Sequence, residues 1–168
     1  EERTTRMAEQ DVGFSARRAV KIATQHLLAP PERVFPLLCP TREYDWIEPW
    51  KCRMVHSESS YAEQDCIFVT DFPGEGEDVW VVSVYRPSEE IQFVRFNGRR
   101  VIRYSITLTD NGDGTTEAQW KQTLTGLNDE GNRFVSSLTD EAYQQRIAGL
   151  ERRLNHYLTT GEMLRGGV

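Results

Sequence analysis

Residues 138–161 read LTDEAYQQRIAGLERRLNHYLTTG, and the fold class turns on how that stretch is read. Tyr143, Ile147, Leu150, Leu154 and Tyr157 recur at alternating steps of four and three, an apolar stripe on a 3.6-residue period. Glu141, Gln144, Gln145, Glu151, Arg152 and Arg153 fill much of the remaining circumference, so one face is wet. Ser137 or Thr139 is placed to cap the start, Asp140 and Glu141 lie near the positive end of the dipole, and Gly161 is a natural stop. At 1.5 Å per residue this helix runs about 36 Å, more than one strand needs for cover. Something broad must lie beneath it.

The preceding chain supplies strands. Arg18 to Leu28 alternates, with Val20, Ile22, Thr24, His26 and Leu28 on the face read as apolar. Pro30 to Phe35 opens a short helix, since proline is tolerated in a first turn. Glu43 to Trp46 forms a second helical turn before Pro49. Strands follow over Trp50 to Ser57, Cys66 to Asp71, Val79 to Arg86, Glu90 to Phe96, Arg100 to Asp110 and Thr115 to Thr125. Turns such as Asn97-Gly98 and the run Asp110 to Gly114 join the later ones as hairpins. Ile102, Tyr104, Ile106 and Leu108 share one face, as do Ala118, Trp120, Gln122 and Leu124. The strand Val79 to Tyr85 is apolar on both parities, which leaves its facing open. Gly126 to Gly131 reads as a polar connection into the last helix.

One domain suits 168 residues, with residues 1–16 a polar tail, 17–164 the folded unit and 165–168 a short tail. The chain begins with Glu1, which leaves room for an upstream segment removed from it. The net charge of −6 argues against nucleic acid as partner. Arg99, Arg100 and Arg103 read as a solvated hairpin edge. No apolar run reaches the roughly 18 residues of a membrane span, so no integral membrane association is expected. Cys39, Cys52 and Cys66 lack metal-type spacing and fit reduced, structural thiols of a cytoplasmic protein.

The order is strand, two short helices, six antiparallel strands and a long helix, an α+β arrangement in which a bent sheet grips one helix. Such an order resembles the helix-grip superfamily, also called SRPBCC or START-like, and within it the polyketide cyclase/dehydratase-like branch. The local likeness lies in Ala29-Pro30-Pro31-Glu32-Arg33-Val34-Phe35, in Gly112-Asp113-Gly114-Thr115-Thr116 and in the terminal helix, spanning Arg17 to Leu164. The resemblance implies a curved antiparallel sheet of about seven strands wrapped around the C-terminal helix, with a cavity between them. It carries over no catalytic residue, because members of the superfamily bind or transform many ligands.

Aromatic and polar groups on inward positions are the candidates for lining that cavity. Tyr44, Trp46 and Trp50 cluster where the short helices meet the second strand, as a cavity lip or as packing. Phe68, Tyr104 and Trp120 come from the sheet, Ile147 and Leu150 from the helix. Gln122 is a polar group on an apolar face, able to read a ligand oxygen or to bond its neighbours. His26 is the candidate for proton transfer, or else a satisfied structural histidine. Glu63, Asp65 and Asp71 are read as surface acids. Gly149, beside the apolar stripe, allows close approach of the helix to the sheet or a hinge. HxxxH, CxxC, HExxH and GxSxG patterns are absent, so no metal, cofactor or nucleophile elbow is expected.

Three functions compete on this reading. Binding of a small, predominantly hydrophobic molecule, lipids included, leads. A cyclase/dehydratase-like enzyme working in the same cavity is second, and requires a titratable side chain that faces it. A non-catalytic interaction module is third. Oligomeric state stays open, a homodimer included.

Overall fold

The computed structural model describes residues 13–166. Its elements run β1 (Arg18–Leu27), α1 (Pro31–Val34), 3-10 turns at Phe35–Leu38 and Glu43–Asp45, then β2 (Arg53–His56) and β3 (Ile67–Phe72). After these come β4 (Gly76–Arg86), β5 (Glu90–Phe96), β6 (Arg100–Asp110), β7 (Thr116–Gly126), α2 (Asp129–Ser137) and α3 (Asp140–Thr160). The strands form one antiparallel sheet in the order β1-β7-β6-β5-β4-β3-β2. It is the expected helix-grip architecture, with short helices between β1 and β2. Pro36 is accommodated because the α-turn gives way to a 3-10 turn at Phe35, where its missing N–H costs no ladder bond.

The last helix starts on Thr139, whose hydroxyl accepts from the Ala142 N–H at 3.1 Å, and stops on Gly161 at φ +73°. Tyr143, Ile147, Leu154 and Leu158 are buried against the sheet. Leu138 lies outside it. The stretch read as a connection holds a separate helix, α2, capped by Asn128 accepting from the Gly131 N–H. Its Val135 packs with Ile102 and Leu124 at one end of the sheet, with Phe134 and Leu138 alongside. Asn128, Asp129 and Glu130 are a capping and first-turn signature that a glycine at position 131 disguised as loop.

The facing of β1 is the reverse of the expectation. Ala23, Gln25 and Leu27 point inward, while Val20, Ile22, Thr24, His26 and Leu28 are exposed. Pairing with β7 decides it, since Ala23 meets Trp120 and Gln25 meets Ala118, both inward residues. Two parities of similar polarity gave the alternation no sign. His26 is therefore on the outside, away from the concave face of the sheet.

As an edge strand β1 exposes unpaired backbone groups, and α3 satisfies them with side chains. Gln144 Nε2 donates to the Ile22 carbonyl at 2.7 Å, and the His26 N–H donates to Glu151 Oε2 at 2.7 Å. Asn155 Nδ2 donates to the His26 carbonyl while its Oδ1 accepts from the Leu28 N–H, each at 2.9 Å. The wet face of the helix thus works as a side-chain substitute for an eighth strand. Gly149 has no part in close packing, for a Cβ there would meet only Arg152 Nη2, at 3.7 Å.

Among the described residues, no helix is long and apolar enough to cross a membrane.

Candidate functional site

A half-enclosed cavity of about 360 Å³ lies between the concave face of the sheet, the short helical turns and α3. Its floor is a row of rings, one from each of five consecutive strands: Phe68 (β3), Trp80 (β4), Phe93 (β5), Tyr104 (β6) and Trp120 (β7). Centroids step across the sheet at 5.3 Å from Phe68 to Trp80 and 5.6 Å from Trp80 to Phe93. The row continues at 6.2 Å to Tyr104 and 5.7 Å to Trp120. Mostly edge-to-face geometry lets these rings pack without closing the space above them. Exposed Pro49, Pro73 and Arg146 mark the mouth.

Of the residues singled out from sequence, Trp50, Phe68, Tyr104, Trp120, Gln122 and Leu150 line this cavity. Three others do not. Trp46 is fully buried in the core and donates from Nε1 to the Leu37 carbonyl at 2.8 Å, pinning the helical turns. Tyr44 is exposed, its hydroxyl accepting from the Cys52 N–H and donating to the Cys52 carbonyl. Ile147 is buried behind the wall, its carbonyl receiving Gln25 Nε2 at 2.9 Å. Trp80 and Phe93 were missed. Trp80 sits opposite Phe68 in the β3–β4 register, which resolves the facing of β4 in favour of Asp78, Trp80 and Val82. A bulge after Val82 then shifts parity and brings Tyr85 against Phe35.

Glu43 is the titratable group that sequence reasoning passed over. It sits at the start of the second 3-10 turn and lines the cavity. No cation or donor among the described residues pairs with its carboxyl, and burial is the one cause of its shifted titration. Burial pushes its carboxyl well above the ordinary range, so the protonated form is favoured. Its charge is felt by Tyr104. Burial, with Tyr143 and Glu43 nearby, raises the Tyr104 hydroxyl strongly against the opposing bond from Gln122, its cross-strand partner. In sequence Glu43 offered only an acid between Arg42 and Tyr44, with no period to show its direction.

A buried ionic cluster closes one side. Asp78 is fully buried and takes Arg100 Nη1 and Nη2 at 2.9 Å each, Arg95 Nε at 3.0 Å and Asn97 Nδ2 at 2.8 Å. Arg95 also bonds Glu75 and lies 4.6 Å over the Trp80 ring. Burial alone would raise the Asp78 carboxyl, but Arg100 and Arg95 outweigh it and hold it below its ordinary value. Arg100, expected on a solvated edge, is 1% exposed beneath the Phe134 ring of α2. Its parity with Ile102 and Tyr104 was the available signal. Arg99 and Arg103 do lie toward the surface, on Glu130 and Gln92.

A smaller chamber of about 210 Å³ under α2 abuts the main cavity, sharing Glu75, Arg95, Gln122 and Arg146 with it. Cys39, Cys52 and Cys66 are free thiols. Burial raises the Cys52 and Cys66 thiols, which disfavours thiolate chemistry. Among the described residues no cluster of His, Cys, Asp and Glu is gathered to hold a metal ion.

No family model and no curated protein matches this sequence. Solved structures do match it in three dimensions. The ginseng (Panax ginseng) major latex-like protein 151 aligns at TM-score 0.62 and 12% identity, over 83% of this chain and 97% of its own. Norcoclaurine synthase of Thalictrum flavumn aligns at TM-score 0.61 and 12% identity, over 86% and 99%. DynU16, from the dynemicin biosynthetic locus, aligns at TM-score 0.59 and 16% identity, over 85% of this chain and 48% of DynU16. The chain thus spans about half the length of DynU16. At these identities the likeness speaks for the backbone and not for the chemistry. The seven-stranded curved sheet closed by a C-terminal helix is the helix-grip fold.

Proposed function

We propose that this protein binds a small, predominantly hydrophobic molecule in the cavity between the sheet and α3. The observation that carries the reading is the row of five rings beneath about 360 Å³ of space. Ordinary cores are packed to crystal-like density, and a space of this size is costly unless something occupies it. Its volume falls within the range of pockets for small molecules, and its few polar groups suit orientation rather than bulk affinity. Trp50, Phe68, Tyr104, Trp120, Gln122 and Leu150 make up much of the wall on this reading, with Trp80 and Phe93. A cytoplasmic setting fits three free thiols. Native mass spectrometry of gently purified protein, joined to a thermal-shift screen of aromatic and lipid-like compounds, tests the proposal. A bound small molecule, or stabilisation by an aromatic subset, is expected; a bare mass with no thermal response across the panel contradicts it.

Catalysis in the same cavity is the second reading, and Glu43 is the observation that favours it. A carboxyl whose pKa is raised by burial in a largely apolar site is poised to exchange a proton with a bound substrate, as cyclase- or dehydratase-like chemistry requires. His26, on the outer face, does not serve. Solvent-deuterium incorporation into a bound ketone, followed by NMR, reads this directly. Exchange accelerated by the protein and lost in Glu43→Gln supports catalysis; equal exchange with both proteins leaves binding alone.

A further inference from the structure

We propose that the cavity is built for a ligand bearing a basic nitrogen, an arylalkyl amine whose ammonium group pairs with Glu43 while its apolar body rests on the ring floor. The inference rests on the binding reading above and adds the chemical class of the ligand.

Charge pairing within the walls is its basis. Two inward cations, Arg95 and Arg100, are met by two inward anions, Asp78 and Glu75. At the mouth Arg146 also approaches Glu75, at 3.9 Å. Cations and carboxylates are equal in number, three of each, but every ion pair falls on Asp78 or Glu75 and none on Glu43. An anionic ligand would find Arg95 already engaged by two carboxylates. A cationic ligand would find one carboxyl without a partner, in a site where low dielectric strengthens the attraction.

The rest of the wall suits the same charge. Rings present negative faces to a cation, and Trp50, Trp80, Tyr104 and Trp120 share the cavity with Glu43. Arg95 already rests on the Trp80 face in this manner, which shows the floor stabilising a guanidinium. Removing an ammonium from water is costly, and a lone carboxylate would not recover that cost. A carboxylate on one side and ring faces on the others together do. The overall charge of −6 adds long-range attraction for a cation and repulsion for an anion.

Protons balance simply. An ammonium ion that enters displaces the proton of the Glu43 carboxyl, which leaves to solvent, and an ammonium–carboxylate pair remains. Binding therefore releases up to one proton per ligand over the pH range in which Glu43 is protonated in the free protein.

The test uses the full chain and three probes of one shape: 2-phenylethylamine, 2-phenylethanol and 3-phenylpropionate. Titration calorimetry in two buffers of different ionisation enthalpy gives affinity and proton release together. The amine is expected to bind about thirty-fold more tightly than the alcohol, the value of a desolvated cation–ring contact. The propionate is expected to bind least. Glu43→Gln should bring the amine down to the affinity of the alcohol and remove the proton release, with a cooperative melting transition to show that the variant is folded. Glu43→Asp, with a shorter arm, should weaken the amine selectively. Equal affinity for amine and alcohol, a preference that survives Glu43→Gln, or tightest binding by the propionate overturns the amine and leaves the cavity standing. Should all three probes fail while the neutral dye N-phenyl-1-naphthylamine still binds, the amine class is likewise overturned. Failure of the dye as well brings down the binding reading itself.

Discussion

Arg100 grips Asp78 with both terminal guanidinium nitrogens, at 2.9 Å each, across the intervening strand β5. Asp78 is fully buried, and Arg95 reaches it from β5 itself. One carboxylate therefore ties three neighbouring strands together beside the cavity. Asp78→Ala leaves two guanidinium groups buried without it, and the loss is expected at about 3–5 kcal/mol, read by urea unfolding. A loss under about 1 kcal/mol would mean that water reaches the cluster freely.

The same carboxylate carries an acid dependence. Its folded pKa lies below the ordinary value, so its contribution is complete above the unfolded carboxylate pKa and fades as pH falls through the depressed folded one. Acid unfolding followed by circular dichroism should show a steep limb at low pH. Asp78→Asn should flatten that limb as well as lower stability at neutral pH.

Glu43 has the opposite sign. Burial raises its folded pKa above the unfolded value, so the protonated group favours the folded state at low pH. That advantage is lost as pH rises from the ordinary carboxylate range through the raised folded value. Tyr104 and Cys52 are the titratable groups that share its field, and Arg95 and Arg146 are the cations on the same cavity wall. Melting curves of Glu43→Gln and the parent should coincide near pH 4 and separate above it, the Gln form melting higher. Parallel curves over the whole range would show the carboxyl to be hydrated.

Gly149 lies in the middle of α3 with only Arg152 near where a side chain would begin. Gly149→Ala should stabilise the protein by about 0.5–1 kcal/mol, through helix propensity and a less flexible unfolded chain. Destabilisation would point to a bend in the helix that the alanine resists.

Asn155 satisfies both a donor and an acceptor on the open side of β1. Asn155→Ala is expected to cost about 1–3 kcal/mol and to speed amide exchange at Leu28, measured by NMR. Unchanged exchange would mean that solvent already serves this edge.

The architecture was legible because its signals are periodic. The stripe from Tyr143 to Tyr157 and the hairpin turns around Asn97-Gly98 and Gly112 fix the elements, and β5 and β6 fall where alternation places them. Ring positions on β6 and β7 were readable for the same reason. β1 was not, since its two parities are alike in polarity and only pairing with Trp120 and Ala118 on β7 selects between them. Arg100 obeyed the alternation of β6, but charge was read as a mark of the surface; its burial depends on finding Asp78 across the strands. Glu43 lies in a three-residue turn, too short for any period, and its direction is set by tertiary packing alone. Trp46 and Trp50 illustrate the same limit, four residues apart in sequence with one in the core and the other at the cavity.

Trp50, Trp80 and Trp120 line the cavity, while Trp46 is buried in the core, so indole fluorescence reports directly on what enters. Titration with N-phenyl-1-naphthylamine should quench this emission saturably at one dye per chain, with energy transfer to the dye. Leu150→Trp, which fills the space from α3, should abolish that response while the far-ultraviolet spectrum and melting transition stay those of a folded protein. A response that never saturates, or one undiminished in Leu150→Trp, would contradict a guest-binding cavity between sheet and helix.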